Sequence, residues 1–139
     1  MELRFKKLRQ ILTEQSLDAV LISSVPNIYY VTGYGGFFTE DRDAYLFVTH
    51  HNAYLITNAL YFTAVKEQVK HVEVREWSAK NSIAKIISDL TKENNVMDCG
   101  FEDSDLRVSE YTTLSSATTS LKPIDLEMFR AIKNDEEIE

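Results

Sequence analysis

Cysteine, proline and glycine are scarce in this sequence, with one, two and four residues respectively among 139. The lone Cys99 cannot close an intramolecular disulfide and has no second thiolate beside it for a metal. A disulfide scaffold and a thiolate metal module are therefore excluded, and a reducing compartment fits. Cys99 reads as a small core residue. Long apolar runs are also missing. Stretches such as Ala19 to Ile22 and Tyr45 to Val48 fall far short of the roughly 20 residues that cross a bilayer, so no membrane span is expected. The N-terminus alternates charged and apolar residues and lacks the apolar core and cleavage site of a signal peptide, so a cytoplasmic location follows by default. Positive charge is in deficit. Fifteen Lys and Arg stand against 22 Asp and Glu, for a net charge of −7. The basic residues are scattered, which argues against nucleic acid as a partner.

What is present is a core. A hydrophobic content of 44% with 11% aromatics suits one compact domain and excludes a disordered chain. Leu3, Phe5, Leu8, Ile11, Leu12 and Leu17 recur mostly at three- and four-residue spacing and predict an amphipathic first helix. Residues 18–23 form a short apolar run of the kind buried on both faces of a sheet. Ser24 offers a hydroxyl cap and Pro26 fits a first turn. A short helix over 27–32 follows, with Gly33 at its left-handed end. Three of the four glycines sit at 33, 35 and 36, so residues 37–43 read as a flexible loop carrying Phe38, Glu40 and Arg42.

Residues 44–49 and 52–57 are β-rich runs joined by His50-His51, which predicts an antiparallel hairpin. Adjacent histidines in a turn point apart, so a turn is favoured over a metal site. Asn58 can cap a helix from Ala59 to about Val69 that buries Phe62, Val65 and Val69. Residues 72–77 alternate as an edge strand does, with His71 exposed beside Glu73. Ile83, Ile86, Ile87 and Leu90 form the clearest helical stripe, stopped at Asn94-Asn95. Residues 96–101 read as a strand, Ser109 as the cap of a helix through Leu114, and 121–124 as a strand whose Pro123 favours an edge. The fold class is therefore α/β, with three α/β/α layers around a mixed five- or six-stranded sheet. Most of the tyrosines and Trp77 read as core and rim residues, with Tyr34 and Phe37 expected in a surface aromatic patch.

The last residues carry a separate signal. Asn134-Asp135-Glu136-Glu137-Ile138 has the capping residue and acidic first turn of a helix start. Residues 1–128 are accordingly read as the domain and 129–139 as the start of a linker helix into a further domain absent from the chain.

Two strings resemble a known family. Pro26-Asn27-Ile28-Tyr29-Tyr30-Val31-Thr32-Gly33-Tyr34 is similar to the N-x-x-Y-L-T-G-F segment of the creatinase/prolidase N-terminal domain. Arg130-Ala131-Ile132-Lys133-Asn134-Asp135-Glu136-Glu137-Ile138 is similar to its R-x-I-K-x-x-x-E-I linker. The resemblance covers essentially the whole chain and implies a ribonuclease H-like topology. It also implies a non-catalytic role in a metal-dependent Xaa-Pro peptidase, either a proline dipeptidase or an Xaa-Pro aminopeptidase. The chain would contribute to oligomerisation and wall the active site without being an enzyme itself. Two divalent metals, Mn, Co or Zn, would belong to the missing catalytic domain. The implied partners are that C-terminal catalytic domain, a second copy in a homodimer, and short proline-containing peptides. A stand-alone binding or scaffolding module and a creatinase-like amidinohydrolase are the alternatives.

For individual residues the resemblance implies that Arg42 grips a substrate carboxylate and that Phe38 walls the proline ring, in this or a neighbouring subunit's site. A bidentate guanidinium suits the first role. The plain alternative for Arg42 is a solvated loop arginine near Glu40, Asp41 and Asp43. Where the family often shows T-D-x-R-Y, this chain has Thr57-Asn58-Ala59-Leu60-Tyr61, so the arginine at position 60 is absent.

Overall fold

The structure, a computed structural model, describes residues 2–118, 120–124, 126 and 129. Five helices and six strands follow one another along these residues, with the second and third strands consecutive. They are α1 (Glu2–Glu14), β1 (Ala19–Ile22), α2 (Val25–Thr32), β2 (Ala44–Thr49), β3 (Ala53–Thr57), α3 (Ala59–Gln68), β4 (Glu73–Glu76), α4 (Ile83–Glu93), β5 (Asp98–Phe101), α5 (Val108–Ser115) and β6 (Ser120–Pro123). The strands make one sheet in the order β4-β3-β2-β1-β5-β6. β2 is antiparallel to both β1 and β3, and the β1–β5, β3–β4 and β5–β6 pairs are parallel. Five strands therefore point one way and β2 alone points the other.

The two-residue period of a strand divides the core between two faces. Val20 and Ile22 of β1, Leu46 and Val48 of β2, and Leu55 of β3 meet Phe5, Leu8 and Leu12 of α1, Ile28 and Val31 of α2, and Val65 of α3. Their chain neighbours Leu21, Phe47 and Ile56 face the other way, onto Ile86, Ile87 and Leu90 of α4 and Leu114 of α5. Covering both faces is what makes β1, β2 and β3 buried along their whole length. The edge strands are built differently. β4 presents Glu73, Arg75 and Glu76, and β6 ends in Pro123, whose missing N–H costs nothing on an edge.

The helix ends follow their local chemistry. Gly33 closes α2 at φ 80°, and its N–H reaches the Tyr29 carbonyl oxygen at 2.7 Å. Asn58 caps α3 by accepting from the Leu60 N–H at 3.1 Å. Ser82 caps α4 through the Lys85 N–H at 3.2 Å.

Several expectations are corrected. α5 begins at Val108 after Arg107, so Ser109 lies inside the helix and caps nothing. Glu110 does the capping instead by accepting the Arg107 N–H at 3.0 Å. Ser24 occupies the cap position of α2, but its hydroxyl makes no cap bond. Leu3 is 45% exposed, because the apolar stripe of α1 is narrower than its leucines suggest. Tyr34 and Phe37 are buried, not a surface patch. Their rings pack at a tilt of 60° with centroids 4.8 Å apart, and Phe37 meets Tyr61 edge-on at 5.0 Å, so the glycine-rich turn folds its aromatics inward. His71 approaches Glu2 at 3.9 Å in place of Glu73. The helix start expected at Asn134 lies outside the described residues. Phe129 is fully buried and packs edge-on against Tyr30 at 4.9 Å.

Candidate functional site

Strand direction decides where chemistry can gather. The chain leaves β1 after Ile22 and returns beside it at Ala44, in the reverse sense, with Ile22 paired to Leu46. Residues 23–43 therefore stay at one edge of the sheet, together with the segments that follow β3 and β5. This is the carboxyl end of the five parallel strands, the customary binding edge of open α/β sheets. All three histidines lie elsewhere: His50 and His51 form the β2–β3 turn and His71 precedes β4, at the opposite edge.

Arg42 stands at the centre of this edge. Its Nε donates to Glu110 Oε2 at 2.8 Å and one Nη2 proton to Glu110 Oε1 at 3.1 Å, a bidentate pair. Nη1 donates to the Ser23 carbonyl oxygen at 2.6 Å and to Asp105 Oδ2 at 2.7 Å, and Nη2 also reaches the Asp105 carbonyl oxygen at 3.0 Å. All five guanidinium N–H donors are thus used inside the chain. The Arg42 and Glu110 side chains are 17% and 14% exposed. The Tyr45 hydroxyl donates to the same Glu110 carboxylate. Ser23 Oγ donates to Asp105 Oδ2 at 2.6 Å.

The electrostatics follow from this geometry. Burial on its own would lower the Arg42 pKa, but Glu110 and Asp105 reverse that and hold it above its usual value. Burial would likewise raise Glu110. Hydrogen bonds from Arg42, Tyr45 and the Arg107 N–H outweigh burial and hold its carboxyl below the ordinary range. Tyr45 is pushed well above a free phenol by burial and by Glu110. Arg42 and Glu110 therefore stay charged at neutral pH, and Tyr45 stays protonated.

A second carboxylate, Glu102, follows β5 and is 6% exposed. Its Oε1 accepts the N–H groups of Ser23 and Ser24 at 2.9 and 3.0 Å. Its Oε2 accepts the Ser24 hydroxyl and the Asn27 side-chain amide, each at 2.8 Å. Glu102 thereby accepts two backbone N–H groups just ahead of α2, where helix polarity favours negative charge. The two clusters tie together β1, α2, the loop before β2 and the start of α5.

Around this polar centre the edge carries large exposed apolar side chains beside the polar Thr39, Glu40 and Asp41. Tyr29, Phe38, Leu60 and Val108 are exposed at 55%, 62%, 82% and 82%. Of the two residues singled out from the sequence, Phe38 is thus open to solvent and Arg42 is enclosed. Glu102, Asp105 and Glu110 are members of the site that sequence reasoning passed over. The acidic run Glu102-Asp103-Ser104-Asp105 directly after a buried strand was the available signal, since it falls at a strand's carboxyl end. The hydroxyls of Ser23 and Ser24 donate to Asp105 and Glu102, and the three histidines lie at the opposite edge of the sheet. Among the described residues no group of three or more His, Cys, Asp or Glu is placed to hold a metal ion. Among them, too, no helix is long and apolar enough to cross a membrane.

The sequence pattern of the Creatinase/Prolidase N-terminal domain matches residues 4–132. The chain belongs to that family. The domain is 27% identical over 140 residues to the Uncharacterized peptidase YqhT of Bacillus subtilis (strain 168), covering 98% of this chain and 38% of the relative's length. It thus spans well under half of that curated relative. Among solved structures it is similar to an Xaa-Pro dipeptidase from Bacillus anthracis, with a TM-score of 0.78 and 19% identity over 88% of this chain and 33% of that one. It is also similar to the N-terminal domain of cytoplasmic peptidase PepQ from Mycobacterium tuberculosis H37Rv, with a TM-score of 0.76 and 24% identity over 93% and 97% of the two chains. At these identities the solved structures establish the fold, a mixed six-stranded α/β domain.

Proposed function

We propose that this chain is the non-catalytic N-terminal domain of a metal-dependent Xaa-Pro peptidase acting in the cytoplasm. In this reading it partners a C-terminal catalytic domain that carries two divalent metals, Mn, Co or Zn, and it helps to form a homodimer. Its role is to wall an active site so that only short proline-containing peptides enter. The observation that carries the reading is the family match across residues 4–132. Two features of the site support it. The polar centre spends all five Arg42 donors inside the chain, as suits a domain that positions other groups. The exposed Phe38, Tyr29 and Leu60 lie on one edge, where apolar side chains suit a wall or a contact.

Phe38 is proposed as the surface that meets a proline ring. A direct grip of Arg42 on a substrate carboxylate would require that carboxylate to displace Glu110 or Asp105 from a fully used guanidinium. The test is a proline-release assay on the full-length gene product with added Mn, using an Xaa-Pro dipeptide and a longer Xaa-Pro peptide. Cleavage is expected, and the preferred length separates dipeptidase from aminopeptidase. Release of proline by residues 1–139 alone would overturn the non-catalytic role. Failure of folded, metal-loaded full-length protein to cleave either peptide would overturn the peptidase reading.

A further inference from the structure

The loop between α2 and β2 has an unusual construction. Its first half is pinned by apolar packing, with Tyr34 and Phe37 buried and in tilted contact, and Phe37 edge-on to Tyr61. Its end is pinned by polar contacts. The Asp43 carbonyl oxygen accepts the Thr57 hydroxyl at 2.6 Å, and its carboxylate accepts the Asn58 side-chain amide at 2.8 Å. Between these anchors lie Phe38, Thr39, Glu40 and Asp41, all exposed. The bond from the Asp41 N–H to the Phe38 carbonyl oxygen, at 3.3 Å, stays within the tip. Arg42 is the next residue, and it commits five donors to Ser23, Asp105 and Glu110 on two other segments. A large apolar ring is thus held out in water on a short tip whose two flanks are fixed.

We propose that Arg42 is a positioning residue, clasped by Glu110 and Asp105 so that the tip 38–41 presents Phe38 in one place as a specificity-determining contact for the substrate. This deepens the reading given under Proposed function and rests on it for the substrate. The physical case is entropic. An exposed aromatic on a free loop loses its conformational freedom when it binds, whereas one fixed beforehand does not. Glu110 couples the tip to α5, because its Oε1 also caps that helix through Arg107 while Oε2 takes Tyr45. Removing one partner of a buried pair leaves the other charge without compensation, so neither side chain leaves the clasp readily.

Two measurements test this. In the 139-residue chain, cleavage after Glu40 by a glutamate-specific protease reports how firmly the tip is held. Glu110→Gln and Arg42→Lys should both speed cleavage there by about tenfold or more, since each removes at least one charge-assisted hydrogen bond. Circular dichroism and a cooperative melt confirm that each variant is folded. Unchanged cleavage in both folded variants overturns the clasp. In the full-length protein, Glu110→Gln should raise KM for the Xaa-Pro peptide with kcat retained. Phe38→Ala should do the same, and the double variant should be no worse than Phe38→Ala alone. A direct substrate role for Arg42 predicts the reverse, because Glu110→Gln would free the guanidinium and lower KM; that result overturns the proposal. If the full-length protein cleaves no such peptide, the functional reading fails while the cleavage at Glu40 still decides the clasp.

Discussion

Glu110 on α5 holds Arg42 ahead of β2 by two parallel N–H···O bonds of 2.8 and 3.1 Å, across 68 residues of sequence. The pair closes the sheet's carboxyl edge over the end of β1.

Acid should loosen this closure. The folded state holds the Glu110 carboxyl below its ordinary value of 4.5, so the unfolded chain binds the proton more readily. The stabilisation is fully present above pH 4.5 and is lost as pH falls through the folded-state value. Denaturant unfolding of the wild type at a series of pH values should show stability dropping below that point. Glu110→Gln should be less stable at neutral pH, by about 3 kcal/mol for a broken buried pair, and its acid-side slope should be flatter. Parallel pH profiles for the two proteins would refute the assignment.

Removal of Glu102 should be comparably costly. Glu102→Ala leaves the Ser23 and Ser24 N–H groups and the Asn27 amide without their acceptor at the start of α2. A loss of about 3 kcal/mol is expected, measured as a lowered urea midpoint with an unchanged m-value. Hydrogen exchange should rise first in α2. Uniform exchange across the whole domain would argue against a local capping role.

Gly33 tests the backbone itself. At φ 80° a side chain is strained, so Gly33→Ala should destabilise by about 1 kcal/mol. Gly33→Asn should recover part of the loss, because asparagine tolerates the left-handed region. Equal stability of both variants and wild type would show that this end of α2 rearranges freely.

Cys99 should be silent. Burial pushes its thiol up to about 12. The native chain should therefore react with a thiol reagent at pH 8 only as fast as it opens, and at full rate in denaturant. Rapid labelling without denaturant would place the sulfur at the surface.

The fold was largely legible because its signals are periodic and local. The stripe of Ile83, Ile86, Ile87 and Leu90, the hairpin around His50-His51 and the buried run of β1 each state their structure within a few residues. Caps were read less well. Ser24 and Ser109 have the right side chains, but Glu102 and Glu110 provide the acceptors from elsewhere in the fold or from inside the helix. Tyr34 and Phe37 were misplaced because the turn glycines suggest openness, while the rings themselves find Tyr61, 24 residues beyond Phe37. Arg42 was noticed as a residue, yet its partners Asp105 and Glu110 are more than 60 residues away. No one-dimensional pattern carries that pairing.

The place of β1 bears on how the chain is made. The first strand to be synthesised lies between β2 and β5. Its β2 side and the strands beyond, β3 and β4, come from sequence up to Glu76, whereas β5 begins only at Asp98. A polypeptide emerging N-terminus first can therefore zip four of its six strands while Ala19, Val20 and Leu21 still show an unpaired border to the ribosome's surroundings. That border is apolar and is sealed only when residues 98–101 arrive. Until then an apolar strand edge of this kind is a place where pairing with another strand can occur.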